Sequence, residues 1–479
     1  MNGFWLYAID WLIRLGLSAR VIMRRRPVGV TLAWLVIVLA APVVGALVYL
    51  LVGELRLGRD RAARARWIHE PYARWLRGLP DRYPLPIDPD RPEPALARLI
   101  QAGIDIPVLP GNELTLLSTT DAIFERLIAD IDATTQTCHL AFYIWQPGGW
   151  GDRIADAVQR AAGRGVDCRV LLDAIGSAAF FKSTLVPRLR AAGVEVVAAL
   201  PARPWRFLFE RLDLRLHRKI AVFDNQVAYT GSMNLVDPRL FKQGAGVGHW
   251  IDAMARLRGP AVEALTVTFI EDWELETGSV CGTIDRKPNS APQPLAGASF
   301  VQVVPSGPTS HPALMKAVLL QTIYEARQEL ILTTPYFVPD EALVTALASA
   351  ALRGVAVHLV VPAKNDSKLV DLASRAFEGD LAEAGVKIHL FEGGLLHTKS
   401  ITADGQMSLF GSLNLDPRSL ALNFEITLAV YDPDFTARLC ALQRSYIADS
   451  RDFDLTAWRT RPWGTRFAEN TARLAGPLL

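Results

Sequence analysis

Cysteine is scarce in this sequence, with 4 among 479 residues. No CxxC pair and no His/Cys ligand spacing occurs around them; they are Cys138, Cys168, Cys281 and Cys440. A disulfide framework needs paired thiols, and a structural zinc site needs closely spaced ligands. We therefore predict neither, and we expect the cysteines to be small structural residues, buried where they fall in predicted strands.

A strong charge of either sign is also missing. The 51 basic and 49 acidic side chains leave a formal net charge of +2. Proteins that bind the phosphate backbone of nucleic acid usually carry a marked basic excess. The balanced charge argues against a nucleic-acid partner.

One long hydrophobic run contrasts with this balanced composition. Val28–Val52 contains 25 residues without a charge. At about 1.5 Å per residue, a helix of this length exceeds the roughly 30 Å hydrocarbon core of a bilayer. We predict that residues 1–55 are a membrane anchor of one or two helices. The second candidate, Phe4–Met23, is interrupted by charges, of which Asp10 and Arg14 are spaced to pair at i,i+4. Basic residues flank the long run on both sides, so its orientation is not indicated.

Histidine is rare too, with 8 residues, yet two of them belong to a repeated pattern. LHRKIAVFDNQVAYTGSMN (216–234) and LHTKSITADGQMSLFGSLN (396–414) share the order His-x-Lys-x4-Asp-x6-Gly-Ser-x-Asn, 180 residues apart. A single His-x-Lys would usually be a core histidine beside a surface lysine, but the full pattern occurring twice argues for function. The other six histidines are expected to be structural: His69, His139, His249, His311, His358 and His389.

The surroundings of the two motifs repeat as well. TCHLAFYIWQPGG corresponds to ELILTTPYFVPDE, and RAAGRGVDCRVLLDA to SAALRGVAVHLVVPA. Each half predicts strand, helix, apolar strand, helix, strand and then a motif hairpin, which indicates an α/β fold with helices covering a sheet. We expect two homologous domains, 113–277 and 298–479, in a pseudo-twofold arrangement. An interfacial connector (56–112) precedes them and a linker rich in Pro, Gly and Ser (278–297) separates them.

Strand geometry gives the motifs a chemistry. Side chains at i and i+2 project from one face, so each histidine shares a face with its lysine. A buried lysine is costly unless an anion lies beside it. Two facing halves would surround a phosphodiester with lysines and carboxamides, while one imidazole attacks phosphorus and the other protonates the leaving alcohol. This division of labour requires environments that push the two histidine pKa values apart.

With both motifs complete, the chain resembles the phospholipase D superfamily. TTPYFVPDEAL, FVQVVPSGP, GSLNLDPRSLALNFE and the N-terminal apolar run resemble its bacterial cardiolipin synthases, over nearly the whole chain. The resemblance implies two phospholipase D-like domains, each a mixed sheet flanked by helices. It implies transfer of a phosphatidyl group between two phosphatidylglycerol molecules through a phosphohistidine, with glycerol released and no metal or other cofactor. It also implies anionic lipid as the partner and the bacterial inner membrane as the location.

The resemblance also assigns the motif residues. His217 is expected to be the nucleophile, and His397 the general acid and then the base. Asp224 and Asp404 are counted with the catalytic set, although they look more like braces for their own hairpins. The side chains expected to hold or adjoin the phosphate are Lys219, Lys399, Asn234, Asn414, Ser232 and Ser412.

A carboxylate beyond each motif is implied as the partner that orients a histidine. HWID offers Asp252 and NFEI offers Glu425. An unpaired carboxylate inside the apolar run LNFEITLAV would be costly, whereas Asp252 could be a plain surface charge. Pairing of each acid with the histidine of the opposite half is implied by the resemblance alone.

Several alternatives stay open in the sequence. A hydrolase would share the intermediate and differ only in whether water or an alcohol reaches it first. A nuclease fits neither the charge nor the anchor, and a non-catalytic scaffold fits poorly with two complete motifs. The acceptor could be phosphatidylglycerol, phosphatidylethanolamine or a free alcohol. A Gly-rich insertion in LVDPRLFKQGAGVGHWID, absent from the second copy, could shape access for either substrate. The segment 201–219, rich in Arg, Trp and Phe, is either interfacial or an ordinary surface helix.

Overall fold

The computed structural model describes residues 2–24, 28–54, 58–85, 94–201, 211, 213–279, 293–311 and 313–474. Two compact units are distinguished. The described parts of 1–63 and 202–214 form the first, and those of 64–201 and 215–477 form the second. The aromatic part of the 201–219 segment, most of the 278–297 linker and Cys281 lie outside the described residues.

The first unit is built from apolar helices. They are α1 (Asn2–Met23), α2 (Val28–Ala40) and α3 (Pro42–Val48), followed by one π-helical turn at Tyr49–Gly53. The predicted pair forms on α1, where Arg14 Nε lies 2.7 Å from an Asp10 carboxylate oxygen. Glu54, which is buried, accepts from Arg20 at 2.7 Å and from the Tyr49 hydroxyl at 2.8 Å. The apolar cluster therefore ends at a fully paired carboxylate.

The continuous helix predicted over Val28–Val52 is interrupted. The chain leaves the helical conformation at Ala41, and Pro42 starts the next helix. Proline has no N–H to bond the preceding turn, and its ring collides with the carbonyl of that turn. Taken one at a time, the helices within the described ranges are each too short or too polar to cross a bilayer.

The range 56–112 contains three helices and the start of a strand. Helix α4 (Arg59–Arg77) begins in the first unit and ends in the second, and α5 (Leu79–Arg82) and α6 (Ala95–Ile104) follow it. On α4, the buried Tyr72 hydroxyl donates to Glu274 at 3.0 Å. On α6, Leu96 and Ile100 belong to the hydrophobic core of the second half. Much of this range is therefore packed into the globular unit.

The described residues of the first half form nine strands. They are β1 (Leu109–Leu117), β2 (Thr137–Phe142), β3 (Asp167–Asp173), β4 (Glu195–Ala199), β5 (Arg215–Leu216), β6 (Ile220–Phe223), β7 (Val227–Gly231), β8 (Trp250–Ile251) and β9 (Met254–Arg258). Its helices within the described residues are α7 (Thr120–Ala133), α8 (Trp150–Gly163), α9 (Ala178–Phe181), α10 (Leu185–Ala191) and α11 (Ala261–Thr277).

The second half repeats this order. Its strands are β10 (Ser299–Ser306), β11 (Glu329–Thr333), β12 (Ala356–Pro362), β13 (Lys387–Phe391), β14 (Leu395–Leu396), β15 (Ser400–Ala403), β16 (Met407–Gly411), β17 (Asn423–Val430) and β18 (Ser450–Asp452). Its described helices are α12 (Leu314–Glu325), α13 (Glu341–Leu352), α14 (Lys368–Glu383), α15 (Pro417–Ala421), α16 (Pro433–Ala448), α17 (Leu455–Thr460) and α18 (Trp463–Leu474).

The strands of both halves join in one mixed sheet. Sixteen of the strands in the described part of the chain belong to it, in the order β18-β13-β12-β11-β15-β16-β17-β10-β1-β9-β7-β6-β2-β3-β4, with β5 paired to β17. The order in one half mirrors that in the other about the antiparallel β1–β10 pair. The predicted α/β halves and their repeated element order are confirmed. The two sheets, however, form one continuous sheet within one compact unit.

The cores of the two halves lie between this sheet and its helices. Strands β3 and β12 are parallel to both of their neighbours, and each ends in four buried residues, 170–173 and 359–362, as expected for strands covered on both faces. Cys138, Cys168 and Cys440 are buried free thiols, and Cys138 lies directly opposite Cys168 on β2 and β3. The described cysteines are therefore reduced residues within the folded unit.

Candidate active site

The first motif histidine is held beside the second half of the chain. His217 follows β5, which pairs in parallel with β17. Its backbone N–H donates to the Phe424 carbonyl at 2.9 Å, and its Nδ1 lies 2.8 Å from Oε2 of Glu425, the next residue of β17. The pairing of two short backbone segments thus places an imidazole against a carboxylate from the other half.

The second motif histidine has the mirror-image arrangement. His397 follows β14, which pairs in parallel with β8 of the first half. Its backbone N–H donates to Ile251 at 2.8 Å, and its Nδ1 lies 2.6 Å from Oδ1 of Asp252. Each imidazole therefore bonds a carboxylate supplied by the opposite half. Asp252 is buried and is not a surface charge.

The charge of these carboxylates fixes the tautomer of each imidazole. Burial acts to raise the pKa of Glu425 and of Asp252, but the paired histidine and the nearby lysine outweigh it, so both pKa values are lowered. An ionised carboxylate can only accept hydrogen bonds. The proton therefore lies on Nδ1 of each histidine, and Nε2 carries the lone pair.

The two histidines have the same titration behaviour. Burial, the largest influence, lowers the pKa of His217 to about 4 and the pKa of His397 to about 4. Both lysine ammonium groups lower both values further, while the carboxylates oppose them. The expected separation of the two pKa values is therefore absent, because both sites have the same burial and the same charges. Both imidazoles are neutral at pH 7.

The two motif lysines are buried beside their histidines. Lys219 Nζ donates to the His217 carbonyl at 2.6 Å, and Lys399 Nζ makes the equivalent bond to His397. Burial lowers the pKa of Lys219 to about 8 and lowers that of Lys399, with Glu425 and Asp252 acting in the opposite direction. Two ammonium groups are thus held in an environment that disfavours their charge, which an anionic ligand would stabilise.

The amide side chains leave polar atoms without partners at this site. Oδ1 of Asn234 accepts from the Ile144 N–H at 3.1 Å. Within the described residues, the buried Nδ2 of Asn234 and the buried Oδ1 of Asn414 have no hydrogen-bond partner. Buried polar groups rarely stay unpaired in a folded protein. A phosphate oxygen would satisfy the Asn234 donor.

The motif serines are placed against the carboxylate strands. Ser412 Oγ donates to Glu425 at 2.5 Å and accepts from the Ile426 N–H at 2.9 Å. Ser232 Oγ accepts from the Ala253 N–H at 3.1 Å, next to Asp252. In this structure, the hydroxyls expected near the phosphate therefore support the residues that orient the histidines.

The motif aspartates lie at the far ends of their strands. Asp224 accepts from the backbone N–H groups of Gln136 and Thr137 at 2.8 Å, and its pKa is lowered because these bonds and that of Thr134 outweigh burial. Asp404 accepts from the N–H groups of Gln328 and Glu329, at the start of β11, at 2.7 and 3.0 Å. A four-residue strand at about 3.3 Å per residue separates each aspartate from its histidine. They brace the turns that start β2 and β11.

Sequence reasoning gave no role to the residue between each histidine and lysine. Arg218 donates to the Glu425 carbonyl at 3.0 Å and to Asp272 of α11 at 2.5 Å. Thr398 donates to the Ile251 carbonyl, beside Asp252, at 3.2 Å. In both halves this residue holds the backbone next to the carboxylate of the opposite half. An arginine between the motif histidine and lysine, on the opposite face of a predicted strand, was the available signal, because a buried charge needs a partner.

Two aromatic rings and one acid complete the site. The Tyr143 and Trp250 rings lie 5.0 and 4.3 Å, centroid to centroid, from His217 and His397 respectively. Asp173 accepts from the Leu216 N–H at 2.9 Å. Its counterpart in the repeat is a proline, so the repeat gave no signal for it. Over the described ranges, no group of three or more His, Cys, Asp or Glu side chains is arranged to hold a metal ion.

A duplicated α/β fold with two carboxylate-paired histidines and two buried lysines defines a class of two-motif enzymes. The family model "Cardiolipin synthase, PLD-like domain" matches residues 127–253 and 319–443. The model "Phospholipase_D-nuclease N-terminal" matches residues 4–54. The chain belongs to the phospholipase D-like cardiolipin synthase family.

Individual relatives match over almost the full length. Cardiolipin synthase A of Cronobacter sakazakii is 45% identical over 99% of this chain and 98% of its own. Cardiolipin synthase A of Escherichia fergusonii is 46% identical over the same shares. Among solved structures, phosphatidylserine synthase of Haemophilus influenzae superposes with a TM-score of 0.59 at 17% identity, over 80% of this chain and all of that one. That structural likeness concerns the fold alone.

Proposed function

We propose that this chain is a phosphatidyl transferase that makes cardiolipin from two phosphatidylglycerol molecules and releases glycerol. The observation that carries the proposal is the pair of imidazoles, each bonded through Nδ1 to a buried carboxylate of the opposite half. Two buried lysines beside them favour an anionic substrate. The full-length similarity to cardiolipin synthases supports the choice of lipid.

In the first step, Nε2 of His217 attacks phosphorus of the donor phosphatidylglycerol. The bond from phosphorus to the glycerol oxygen breaks, and that oxygen takes a proton from His397. Both histidines are neutral in the folded protein, but a bound phosphodiester anion raises the pKa of a nearby imidazole. The substrate thus supplies the field that protonates His397. Lys219, Lys399 and the Asn234 amide hold the phosphate oxygens and stabilise the charge that develops on them.

In the second step, His397 acts as the base. The free hydroxyl of a second phosphatidylglycerol gives its proton to His397, and its oxygen attacks phosphorus. The phosphorus–nitrogen bond breaks and restores neutral His217. Asp252 and Glu425 keep the two rings in the required tautomer throughout.

We further propose that residues 1–55 embed the enzyme in the bacterial inner membrane. The apolar helices of this segment and the match to an N-terminal family model support an anchor. An alkaline carbonate wash of membranes tests it. The full chain is expected to stay in the membrane pellet, and release into the supernatant would contradict the anchor.

Product analysis tests the activity. The purified chain is placed in phosphatidylglycerol vesicles without added divalent metal, with and without phosphatidylethanolamine, and lipids and glycerol are followed by mass spectrometry. We expect cardiolipin and an equal amount of glycerol. His217→Asn should abolish both, whereas His311→Asn, at an exposed histidine outside the motifs, should not. Phosphatidic acid without cardiolipin would identify a hydrolase instead.

A further inference from the structure

The two halves differ in the loop that leads from the motif to the orienting carboxylate. Asn234 and Asp252 are 18 positions apart, whereas Asn414 and Glu425 are 11 apart. Val236 is one of the seven extra residues, because LVDPR corresponds to LDPR in the second copy. The other six lie between Arg239 and Asp252, in a stretch that contains KQGAGVG (242–248) and whose only charged residue is Lys242. The pseudo-symmetry of the site is therefore broken by one loop that carries one cation.

This loop is fastened to the second half beside His397. A Cβ added to Gly248 would lie 3.0 Å from Cα of Gly394, so the two backbones are in direct contact. The Leu395 N–H donates to the His249 carbonyl at 2.9 Å, and His249 Nδ1 lies 2.9 Å from the Pro238 carbonyl. The loop is thus closed on itself and held next to β14, which leads into His397.

Lys242 is held at a defined place on this loop. Its ammonium lies 3.0 Å from Oδ2 of Asp366 in the second half, and the Tyr336 hydroxyl donates to Oδ1 of the same carboxylate at 3.0 Å. The ammonium also lies 5.5 Å from the centroid of the Trp250 ring, which packs directly on His397. One aromatic ring therefore separates this cation from the imidazole.

The backbone of Lys242 is strained, with φ of +48°. A left-handed conformation is unfavourable for a non-glycine residue and tends to persist where function requires it. Its side chain is half exposed, whereas the Asp366 side chain with which it pairs is buried. The ammonium therefore compensates a buried carboxylate and still keeps part of its surface open to solvent.

The proposed reaction gives this cation a task. The acceptor phosphatidylglycerol brings a phosphodiester of its own, one glycerol away from the hydroxyl that His397 deprotonates. Lys219 and Lys399 are committed to the reacting phosphate, so the second phosphate needs a different cation on the His397 side. An ammonium has three donors, and the contact with Asp366 uses one.

We propose that Lys242 binds the phosphate of the acceptor lipid, so that the 242–248 loop selects an acceptor carrying an anionic phosphodiester over water and neutral alcohols. This inference rests on the proposed function and specifies which group of the acceptor is recognised. The loop is present in one half only, and we attribute this difference to the different roles of the donor and acceptor lipids in the reaction.

A competition between acceptors tests the inference. The full chain is given phosphatidylglycerol vesicles with enough ethanol for the wild type to form cardiolipin and phosphatidylethanol at similar rates. Lys242→Gln is expected to lower the ratio of cardiolipin to phosphatidylethanol about tenfold, the size of one charge-assisted hydrogen bond. Lys242→Arg should keep most of the ratio. Lys316→Gln removes a similar half-exposed lysine paired with Asp340 and should leave the ratio unchanged.

Each other outcome has a definite meaning. An equal fall of both products with Lys242→Gln, at unchanged thermal unfolding, would place Lys242 on the donor and overturn the inference. An unchanged ratio would also overturn it. A wild type that forms phosphatidylethanol and phosphatidic acid but no cardiolipin would overturn the proposed function itself, irrespective of the Lys242 variants.

Discussion

At the scale of single residues, the site concentrates ionisable groups that burial disfavours. Two imidazoles, two ammonium groups and two carboxylates are buried there. Neighbouring groups stabilise the ionised carboxylates, but the lysines keep depressed pKa values. With both imidazoles neutral, the two ammonium groups balance the two carboxylates, and a bound phosphodiester anion adds the charge that favours protonation of one histidine. The residues with the largest shifts are therefore those that should respond most to substitution.

Replacement of Lys219 should separate activity from stability. Lys219→Met is expected to lower kcat by about 10²–10³, since a donor to the developing charge is lost. The lysine pKa falls from 10.5 to about 8 on folding, which corresponds to about 3 kcal/mol of unfavourable free energy where the unfolded side chain is charged. The variant should therefore have a higher free energy of unfolding at pH 7, by up to that amount, measured by denaturant titration.

The same lysine predicts how the rate depends on pH. The ammonium loses its proton as the pH rises through about 8 in the free enzyme. We expect kcat/KM for phosphatidylglycerol to fall above that pH, because the deprotonated amine no longer attracts phosphate. A profile of kcat/KM from about pH 6 to about pH 10 measures this fall, because it covers the range in which histidine and lysine side chains titrate. A profile that stays flat to the upper limit would contradict the depressed value.

Substitution of each orienting carboxylate should impair a different chemical role, that of the nucleophile or that of the acid. Glu425→Gln and Asp252→Asn are each expected to lower turnover by about 10²–10⁴, because each loses the charge that holds its imidazole tautomer. A phosphodiester with a nitrophenolate leaving group needs no proton from His397. With that donor, Asp252→Asn should regain the burst of nitrophenolate, and Glu425→Gln should not. Equal recovery of both variants would contradict the assignment of nucleophile and acid.

At the scale of elements, short strand pairs and one buried ion pair hold the two motifs in place. The β5–β17 and β8–β14 pairs each carry a histidine next to a carboxylate. Arg218 ties the first of these pairs to α11 through Asp272, which is buried as well. The geometry of the site thus depends on contacts made on the reverse side of the motif strand.

A double-substitution cycle separates the two contributions of Arg218. Arg218→Met should lower the free energy of unfolding by about 3–5 kcal/mol, because it leaves Asp272 buried without its partner. Adding Asp272→Leu should restore most of that loss. Activity should stay low in the double variant, since the Glu425 carbonyl still lacks its donor. Thr398→Val provides the matched change in the second half, where no charge is stranded and the unfolding penalty should be small. Recovery of activity together with stability would contradict the positioning role.

The elements also mark where sequence reasoning succeeded and failed. The internal repeat predicted the two motif hairpins and the strands before them, because the spacing of apolar residues and the duplication are both visible in the sequence. The helix over Val28–Val52 was expected to be continuous, because an apolar run indicates burial but not a break at Ala41. Arg218 was missed because a residue facing away from the active face has partners that only tertiary structure supplies.

At the scale of the whole molecule, the halves are joined by backbone as well as by side chains. Strands β1 and β10 pair at the centre of the sheet, and the buried Asn112 donates to Leu109 and Ser299 and accepts from Ala261 at that junction. Sequence reasoning expected two domains packed together. Sequence reasoning could not predict a shared sheet, because the sequence of an edge strand does not specify the strand with which it pairs.

The shared sheet predicts that the linker is dispensable once the chain has folded. A protease site inserted between residues 284 and 289 and cleaved after purification should leave two fragments that elute together. Transfer activity should stay within about twofold, since the β1–β10 hydrogen bonds and the buried junction persist. Size-exclusion chromatography and product analysis measure this against the uncut sample. Separation of the fragments in native buffer would contradict it.

The exchange of carboxylates between halves has a consequence for inheritance. A mutation of the carboxylate in one repeat inactivates the histidine of the other repeat, so neither repeat can compensate for loss of the other. Recombination that deletes one repeat would leave a single motif histidine without the carboxylate that the other half supplies. The two copies that duplication made are therefore transmitted as one indivisible trait, and selection acts on them together.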